Sequence, residues 1–164
     1  MTIRTTSATQ PANVNLFALF ADAAARHADR ACLIVDGVPL LSQAEMLAET
    51  GRAAAWLRDV GVAAGERVVA QLDKSPAAVI FYLACLRAGV VFIPLNTAYQ
   101  MGELAYFLED AEPALLVASA ALPGAAVPFA GRRAILPPDL ASSPWVEWPR
   151  ELPMTPCGGD DAAA

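Results

Sequence analysis

The chain has 164 residues, of which 56% are hydrophobic and 17% charged, and its formal net charge is −6. This composition excludes a wholly disordered protein, because disordered chains combine low hydrophobicity with high net charge. The acidic balance also argues against a nucleic-acid partner, which would need a basic patch; the nearest approach to one is the pair Arg132-Arg133.

The N-terminus and the cysteines both indicate a cytoplasmic protein. Residues 1–14 are rich in Ser and Thr and have no apolar stretch, so they predict a disordered tail and not a secretory signal. Cys32, Cys85 and Cys157 are an odd number without a Cys-x-x-Cys pair. This spacing offers neither a disulfide framework nor a zinc site, and buried thiols in a reducing compartment are the expected state.

The first elements are predicted to be a helix, a hairpin and a second helix. Asn15 is a helix N-cap residue, and the helix is expected to run to about Arg26, with the single histidine, His27, at the surface just beyond it. Asp36-Gly37 between two apolar runs predicts a β-hairpin. Ser42 and Glu45 form a capping box that starts a helix ending near Val60.

This second helix has a charged stripe opposite an apolar one. Glu45, Glu49, Arg52 and Asp59 fall on one face, while the apolar stripe faces a core. Trp56 falls with the charged stripe. Two interpretations are open: an aromatic ring that lies on the protein surface, or a contact with a domain outside this chain.

The centre of the chain alternates apolar strands and helices. Strands are predicted over 68–72, 90–95 and 114–118, with a helix that begins at Ser75-Pro76 and another over 102–110 between them. Alternation of this kind with short links predicts an α/β fold with a parallel sheet, and continuously apolar strands fit a sheet covered on both faces.

The apolar run from Pro76 to Leu95 is long enough to be mistaken for a membrane span. However, Arg87 lies near its centre, where it would cost roughly 2.5–3.5 kcal/mol on insertion. A buried helix followed by a buried strand explains the run better, and no membrane span is predicted.

Beyond Ser119 the composition changes. Eight of the 13 prolines lie between Pro123 and Pro156, which leaves room for short strands such as 134–136 but for no long helix. The predicted organisation is a disordered tail over 1–14, an α/β subdomain over 15–119 and a Pro-rich irregular segment over 120–164, either a linker or a covering layer.

No residue carries a convincing catalytic signature. Neither a dinucleotide-binding glycine motif nor a phosphate-loop motif occurs. Lys74-Ser75 could hold an anion at a helix N-terminus, but plain helix capping is the favoured interpretation. Asp160-Asp161 could bind a metal only with further ligands, and none are nearby in the sequence.

The best candidate for a role beyond packing is the loop Asn96-Thr97-Ala98-Tyr99, because open α/β sheets place ligands at the carboxyl ends of strands. Turn formation is the alternative role. No catalytic, cofactor-binding or metal-binding residue is therefore assigned.

The ordered pieces of the segment from Gln71 to Pro113 resemble the early part of the AMP-forming acyl-CoA synthetases, and among them most closely the malonyl-CoA synthetases. The pieces are Lys74-Ser75, Phe81-Tyr82-Leu83-Ala84, Arg87-Ala88-Gly89, Pro94-Leu95-Asn96-Thr97-Ala98-Tyr99, Glu103-Leu104-Ala105-Tyr106-Phe107 and Asp110-Ala111-Glu112-Pro113.

The resemblance implies an incomplete N-terminal subdomain of the large synthetase domain, with the remainder of that domain as its partner. In the family, ATP and magnesium activate a carboxylate as an acyl-adenylate, and CoA then displaces AMP. The phosphate loop and the other binding groups lie downstream of the matched region, so this chain is expected to be an inactive scaffold without ATP, Mg²⁺ or CoA of its own. Whether the chain counts as an enzyme is left open.

Three hypotheses follow: a fragment of a synthetase, a non-catalytic docking subunit or relic that binds another synthetase chain, or an independent small α/β protein with its own ligand. The sequence favours the fragment.

Overall fold

A computed structural model describes residues 15–157. The predicted disordered tail and the pairs Gly158-Gly159 and Asp160-Asp161 lie outside these residues. Within them, four α-helices and six strands are formed, and their bounds are α1 Leu16–Ala25, β1 Ala31–Val35, β2 Val38–Ser42, α2 Gln43–Asp59, β3 Arg67–Gln71, α3 Pro76–Arg87, β4 Val91–Pro94, α4 Met101–Ala111, β5 Leu115–Ala118 and β6 Arg132–Ile135.

The main sheet has four strands in the order β4-β3-β5-β6, and all of them are parallel. The predicted α/β fold with a parallel sheet is thereby confirmed. Successive residues of β3 face opposite layers: Val68 and Ala70 pack in the core with α2 and α3, whereas Val69 packs with α4. Helices therefore cover both faces, which explains why the strands are apolar without alternation.

The predicted hairpin forms a separate two-stranded antiparallel sheet from β1 and β2. Its turn places Asp36 at φ 51° and Gly37 at φ 80°, the left-handed backbone that a two-residue hairpin turn requires and that glycine adopts without a steric penalty. Because no strand of the main sheet pairs with it, the hairpin depends on contacts with α2 for its position.

The predicted capping box at the start of α2 is confirmed. The Ser42 hydroxyl accepts a hydrogen bond from the Glu45 amide at 3.2 Å, and the Glu45 carboxylate accepts one from the Ser42 amide at 2.7 Å. Hydrogen bonds from the amide and hydroxyl of Ser42 lower the pKa of Glu45. Because the folded pKa is the lower one, this stabilisation is present above the ordinary glutamate pKa and is lost as the pH falls through the lowered value.

We expect Ser42→Ala to lower the free energy of unfolding by about 1 kcal/mol, since it removes a side-chain acceptor from the helix N-terminus. Ser42→Gly should cost only a few tenths of that because glycine is itself tolerated at this position. Equilibrium urea unfolding of the unsubstituted chain and the two variants measures these losses, and an unchanged stability of Ser42→Ala would show that the hydroxyl contributes nothing.

The prediction that the charged stripe of α2 faces away from the core is wrong at Trp56 and Glu49, which are both buried. Trp56 is only 6% exposed, with its ring 6.3 Å from that of Phe81 and 6.0 Å from that of Trp145. Glu49 is 8% exposed. The reason is that the segment following β6 lies across this face of α2, so that a helix predicted to have one buried side is covered on both.

The described part of the Pro-rich segment is joined to the body by a strand, a core residue and several hydrogen bonds. Strand β6 pairs with β5, and Trp145 is fully buried and stacks on Phe81 at 6.1 Å. The Trp148 indole donates to Asp59 at 3.0 Å, and the Leu152 amide donates to the Gly51 carbonyl at 3.0 Å. Up to residue 157 the segment is a covering layer; the division of the chain into domains stays a prediction.

Helix α3 begins as expected, with Ser75 as N-cap and Pro76 in the first turn. It has 12 residues and ends at Arg87, before β4 begins. Over residues 15–157 no helix combines the length and apolar character needed to cross a membrane.

Candidate functional site

The carboxyl edge of the main sheet is the place where a doubly wound fold would bind a ligand. The connection from β3 through α3 leads to β4 on one side, and the connection from β4 through α4 leads back across β3 to β5 on the other. This reversal lies between β3 and β5, and at such a point the flanking loops separate and leave a crevice.

In this chain the crevice is filled by the side chain of Gln71, the last residue of β3. Its amide nitrogen donates to the carbonyl oxygens of Asn96 at 3.1 Å and Tyr99 at 3.0 Å. Its amide oxygen accepts from the Gly124 amide at 2.7 Å. Gln71 is fully buried, and through these three hydrogen bonds it links the ends of β3, β4 and β5.

Gly124 is needed for this arrangement because a Cβ atom there would lie 2.8 Å from the Gln71 amide oxygen. It belongs to a short 3-10 turn, Pro123–Ala125, that follows β5. The sequence analysis assigned no role to Gln71 or to Gly124. A polar residue at the end of an apolar strand was the one signal available for Gln71.

The loop predicted as the best candidate is held by its own turn as well as by the two hydrogen bonds from Gln71. The Asn96 side-chain oxygen accepts from the Ala98 amide at 2.9 Å, as expected for turn chemistry. Tyr99 stacks on Phe107 with ring centroids 5.2 Å apart and borders a cleft of about 390 Å³ that Gly102, Glu103 and Tyr106 also line. Both interpretations of the loop thus describe part of it: Asn96 forms a turn and Tyr99 borders a cleft.

A second groove, of about 440 Å³, lies beside the end of β3 and the outer strand β4. Its walls are largely apolar and include Val79 and Tyr82 of α3 and Phe92 and Pro94 of β4, with Lys74 at its rim. The Ser75 hydroxyl accepts from the Ala78 amide at 3.1 Å, so this residue caps α3 as predicted. The groove fits an apolar group better than a phosphate, because Lys74 is the only basic residue among the described ones that line it.

The remaining candidate groups lie apart from these grooves. His27 is exposed, as predicted. Burial raises the pKa of the Cys85 thiol, which makes it a poor nucleophile. Among residues 15–157, no three His, Cys, Asp or Glu side chains are grouped so that they could hold a metal ion.

Arg87 links helices α3, α2 and α1, a role that the sequence analysis did not assign to it. Its guanidinium donates to the Leu47 carbonyl at 2.6 Å and lies 5.5 Å from the centre of the Phe17 ring. Burial lowers the pKa of Arg87, and the charge of Glu151 opposes that shift. Asn15 adds a second link, since its side chain donates to the carbonyls of Leu86 at 2.8 Å and Thr155 at 2.9 Å.

With this geometry established, comparison with known proteins identifies the family. The AMP-binding enzyme family matches residues 20–148, which is most of the chain. The chain belongs to the AMP-binding enzyme family. The predicted resemblance to the N-terminal part of an AMP-forming synthetase is thereby confirmed.

Two relatives show how much of an AMP-binding enzyme this chain represents. The structure of ATP-bound MatB from Rhodopseudomonas palustris is 35% identical with a TM-score of 0.74, and the match covers 93% of this chain but 31% of that one. An acetyl-coenzyme A synthetase of Mycobacterium tuberculosis is 35% identical over 98 residues, which is 57% of this chain and 15% of that enzyme.

The chain is also similar to a peptide synthetase. CymA of Salinispora arenicola, a probable non-canonical nonribosomal peptide synthetase, is 32% identical over 138 residues, which is 84% of this chain and 2% of that protein. The chain therefore spans a third or less of each of these relatives. The fold described above corresponds to the N-terminal subdomain of an AMP-binding enzyme.

Proposed function

We propose that this chain is the N-terminal scaffold of an AMP-forming synthetase that joins malonate to CoA, and that it is inactive alone. The observation that carries the proposal is the match to MatB, a malonyl-CoA synthetase, over 91% of this chain and 31% of that one. The parent reaction converts malonate, ATP and CoA into malonyl-CoA, AMP and pyrophosphate. ATP supplies the activating group and Mg²⁺ neutralises its phosphates.

The part of the chain described here contributes rigidity to that enzyme. Gln71 fixes the ends of three parallel strands, and Arg87 ties α3 to α2. A fixed strand edge gives downstream loops a constant position, and catalytic groups must be held to within a fraction of an ångström to be effective. In this proposal the chain positions the binding groups of the remainder without contacting substrate.

The docking-subunit alternative has less support. The family match runs from residue 20 to residue 148 without division, and in MatB the corresponding region is part of the same chain as the rest of the domain. A subunit that binds a complete synthetase would duplicate a region that the synthetase already has.

The test is a chimera, called the joined enzyme below, in which this chain replaces the matched 31% of MatB. We expect it to form malonyl-CoA and AMP only when malonate, ATP, Mg²⁺ and CoA are all present, whereas this chain alone should show no malonate-dependent exchange of pyrophosphate into ATP. A folded but inactive joined enzyme, or exchange activity in the chain alone, would contradict the scaffold role.

Acid selectivity needs its own measurement, because the joined enzyme inherits the acid-binding groups of MatB. The parent protein that contains this chain should have a higher kcat/KM for malonate than for acetate. A preference for acetate would retain the scaffold role and reject malonate, in line with the similarity to acetyl-coenzyme A synthetase.

A further inference from the structure

The C-terminal end of α3 is bonded by residues from three distant parts of the chain. Carbonyls in the last turn of a helix have no partner within the helix, so other groups must satisfy them. The Leu86 carbonyl accepts from the Asn15 side chain at 2.8 Å. The Arg87 carbonyl accepts from the Thr155 amide at 2.8 Å. The carbonyl of the next residue accepts from the Arg58 guanidinium, whose positive charge suits the negative end of the helix dipole.

Thr155 is the residue at which these three parts meet. Its amide donates to the Arg87 carbonyl of α3, its carbonyl accepts from the Asn15 side chain at 2.9 Å, and its hydroxyl accepts from Arg58 of α2 at 3.3 Å. Each polar group of Thr155 therefore takes part in a hydrogen bond, and each bond joins it to a different element. Gly89 leaves room for the side chain, because a Cβ atom at Gly89 would lie 3.2 Å from Thr155 Cγ2.

The chain around Thr155 has no helix or strand that would hold it in place. Thr155 lies in irregular chain between Pro153 and Pro156, and irregular segments are normally the more mobile parts of a fold. Desolvation lowers the pKa of Arg58, while the charge of Glu66 opposes that shift, so the guanidinium is held here against a solvation cost. The three hydrogen bonds thus fix one point of a segment that could otherwise move.

We propose that Thr155 is a positioning residue for the parent reaction: its bonds to α3, to α2 and to Asn15 at the start of α1 set the place from which the chain continues beyond this subdomain. The inference rests on the proposed function, in which the binding groups of the synthetase follow this region. A fixed starting point limits the error in placing those groups, and a displacement of about 1 Å can cost about a hundredfold in rate. Thr155 acts through the groups that follow it and does not contact substrate.

The experiment measures kcat and KM of the joined enzyme with single substitutions that loosen Thr155. Asn15→Ser retains a helix N-cap, since serine can replace the oxygen that accepts from the Phe17 amide, but it loses the side-chain amide that donates to Thr155. Thr155→Val is nearly isosteric and removes only the hydroxyl that accepts from Arg58. We expect kcat to fall about tenfold for Asn15→Ser and about threefold for Thr155→Val. The KM for malonate should stay within about twofold, because alignment affects the chemical step more than ground-state binding.

The control is Ser42→Ala, which removes the N-cap of α2 and lowers stability without changing the bonds of Thr155. It should leave kcat within about twofold when the enzyme is assayed well below its unfolding temperature. The double variant adds a readout that lost stability alone would not change. Because Asn15→Ser and Thr155→Val both act through Thr155, together they should lower kcat by less than the product of their separate factors.

The outcomes separate the two proposals. If the unsubstituted joined enzyme is folded but inactive, the proposed function fails. If it is active but Asn15→Ser and Thr155→Val both behave like Ser42→Ala, Thr155 is not a positioning residue and the scaffold role stands. Factors that multiply fully in the double variant would also overturn the inference, because the two substitutions would then act independently. If Asn15→Ser prevents folding, the comparison of Thr155→Val with Ser42→Ala decides by itself.

Discussion

Trp145→Ala is expected to lower the free energy of unfolding by about 3–5 kcal/mol, the usual cost of truncating a buried tryptophan. Trp145 is fully buried and packs against two other aromatic rings, with ring centroids 6.0 Å from Trp56 and 6.1 Å from Phe81. Removing the indole leaves a cavity between α2 and α3 and uncovers the face of α2 on which Trp56 lies. The expected loss is a large fraction of the stability of a domain of this size.

The control is Glu147→Ala, two residues further along and exposed. It tests the same segment without creating a cavity, and its effect should stay within about 0.5 kcal/mol. Urea unfolding followed by far-UV circular dichroism avoids the change in fluorescence that the tryptophan substitution itself causes. Equal effects of the two substitutions would mean that the segment from 140 to 152 is a loose linker, the alternative that the sequence left open.

The difference between these interpretations shows which structural features the sequence could predict. The turn at Asp36-Gly37, the capping box of Ser42 and Glu45 and the proline start of α3 are decided by residues within a few positions of one another. Trp56 is different, because its burial depends on Trp145, which is far along the chain. Helical periodicity identifies the face on which a side chain lies, but it does not reveal what later covers that face.

The same reasoning applies to the carboxyl edge of the sheet. The strand ends and the loop at Asn96 could be located from hydrophobic patterning, so the position of the edge was predictable. That a side chain would occupy the crevice could not be predicted, because the hydrogen-bond partners of Gln71 lie 25, 28 and 53 residues away along the chain. A single polar side chain thereby converts the usual ligand position of the fold into a structural link.

Gln71→Ala is expected to destabilise the fold by about 3 kcal/mol or more, since it leaves the carbonyls of Asn96 and Tyr99 and the amide of Gly124 without their partner. Gln43→Ala, at the half-buried start of α2, is the control and should have little effect. Urea unfolding at neutral pH measures both. A loss for Gln71→Ala no larger than the control would show that water replaces the amide and that the crevice is open to a ligand.

Gln71→Glu sharpens this test because it retains the shape of the side chain and the acceptor for Gly124. At neutral pH it places a buried carboxylate against two carbonyl oxygens, so burial and repulsion should raise its pKa above the ordinary glutamate value of about 4.3. A group whose folded pKa is raised stabilises the fold fully below its unfolded pKa, and this contribution is lost as the pH rises through the folded pKa. The stability deficit of Gln71→Glu relative to the unsubstituted chain should therefore shrink as the pH falls from 7 towards about 4, where the protonated carboxyl can again donate to one of the two carbonyls. A deficit independent of pH would indicate that the side chain has left the crevice for solvent, and the carboxyl edge would then be an empty site and not a closed one.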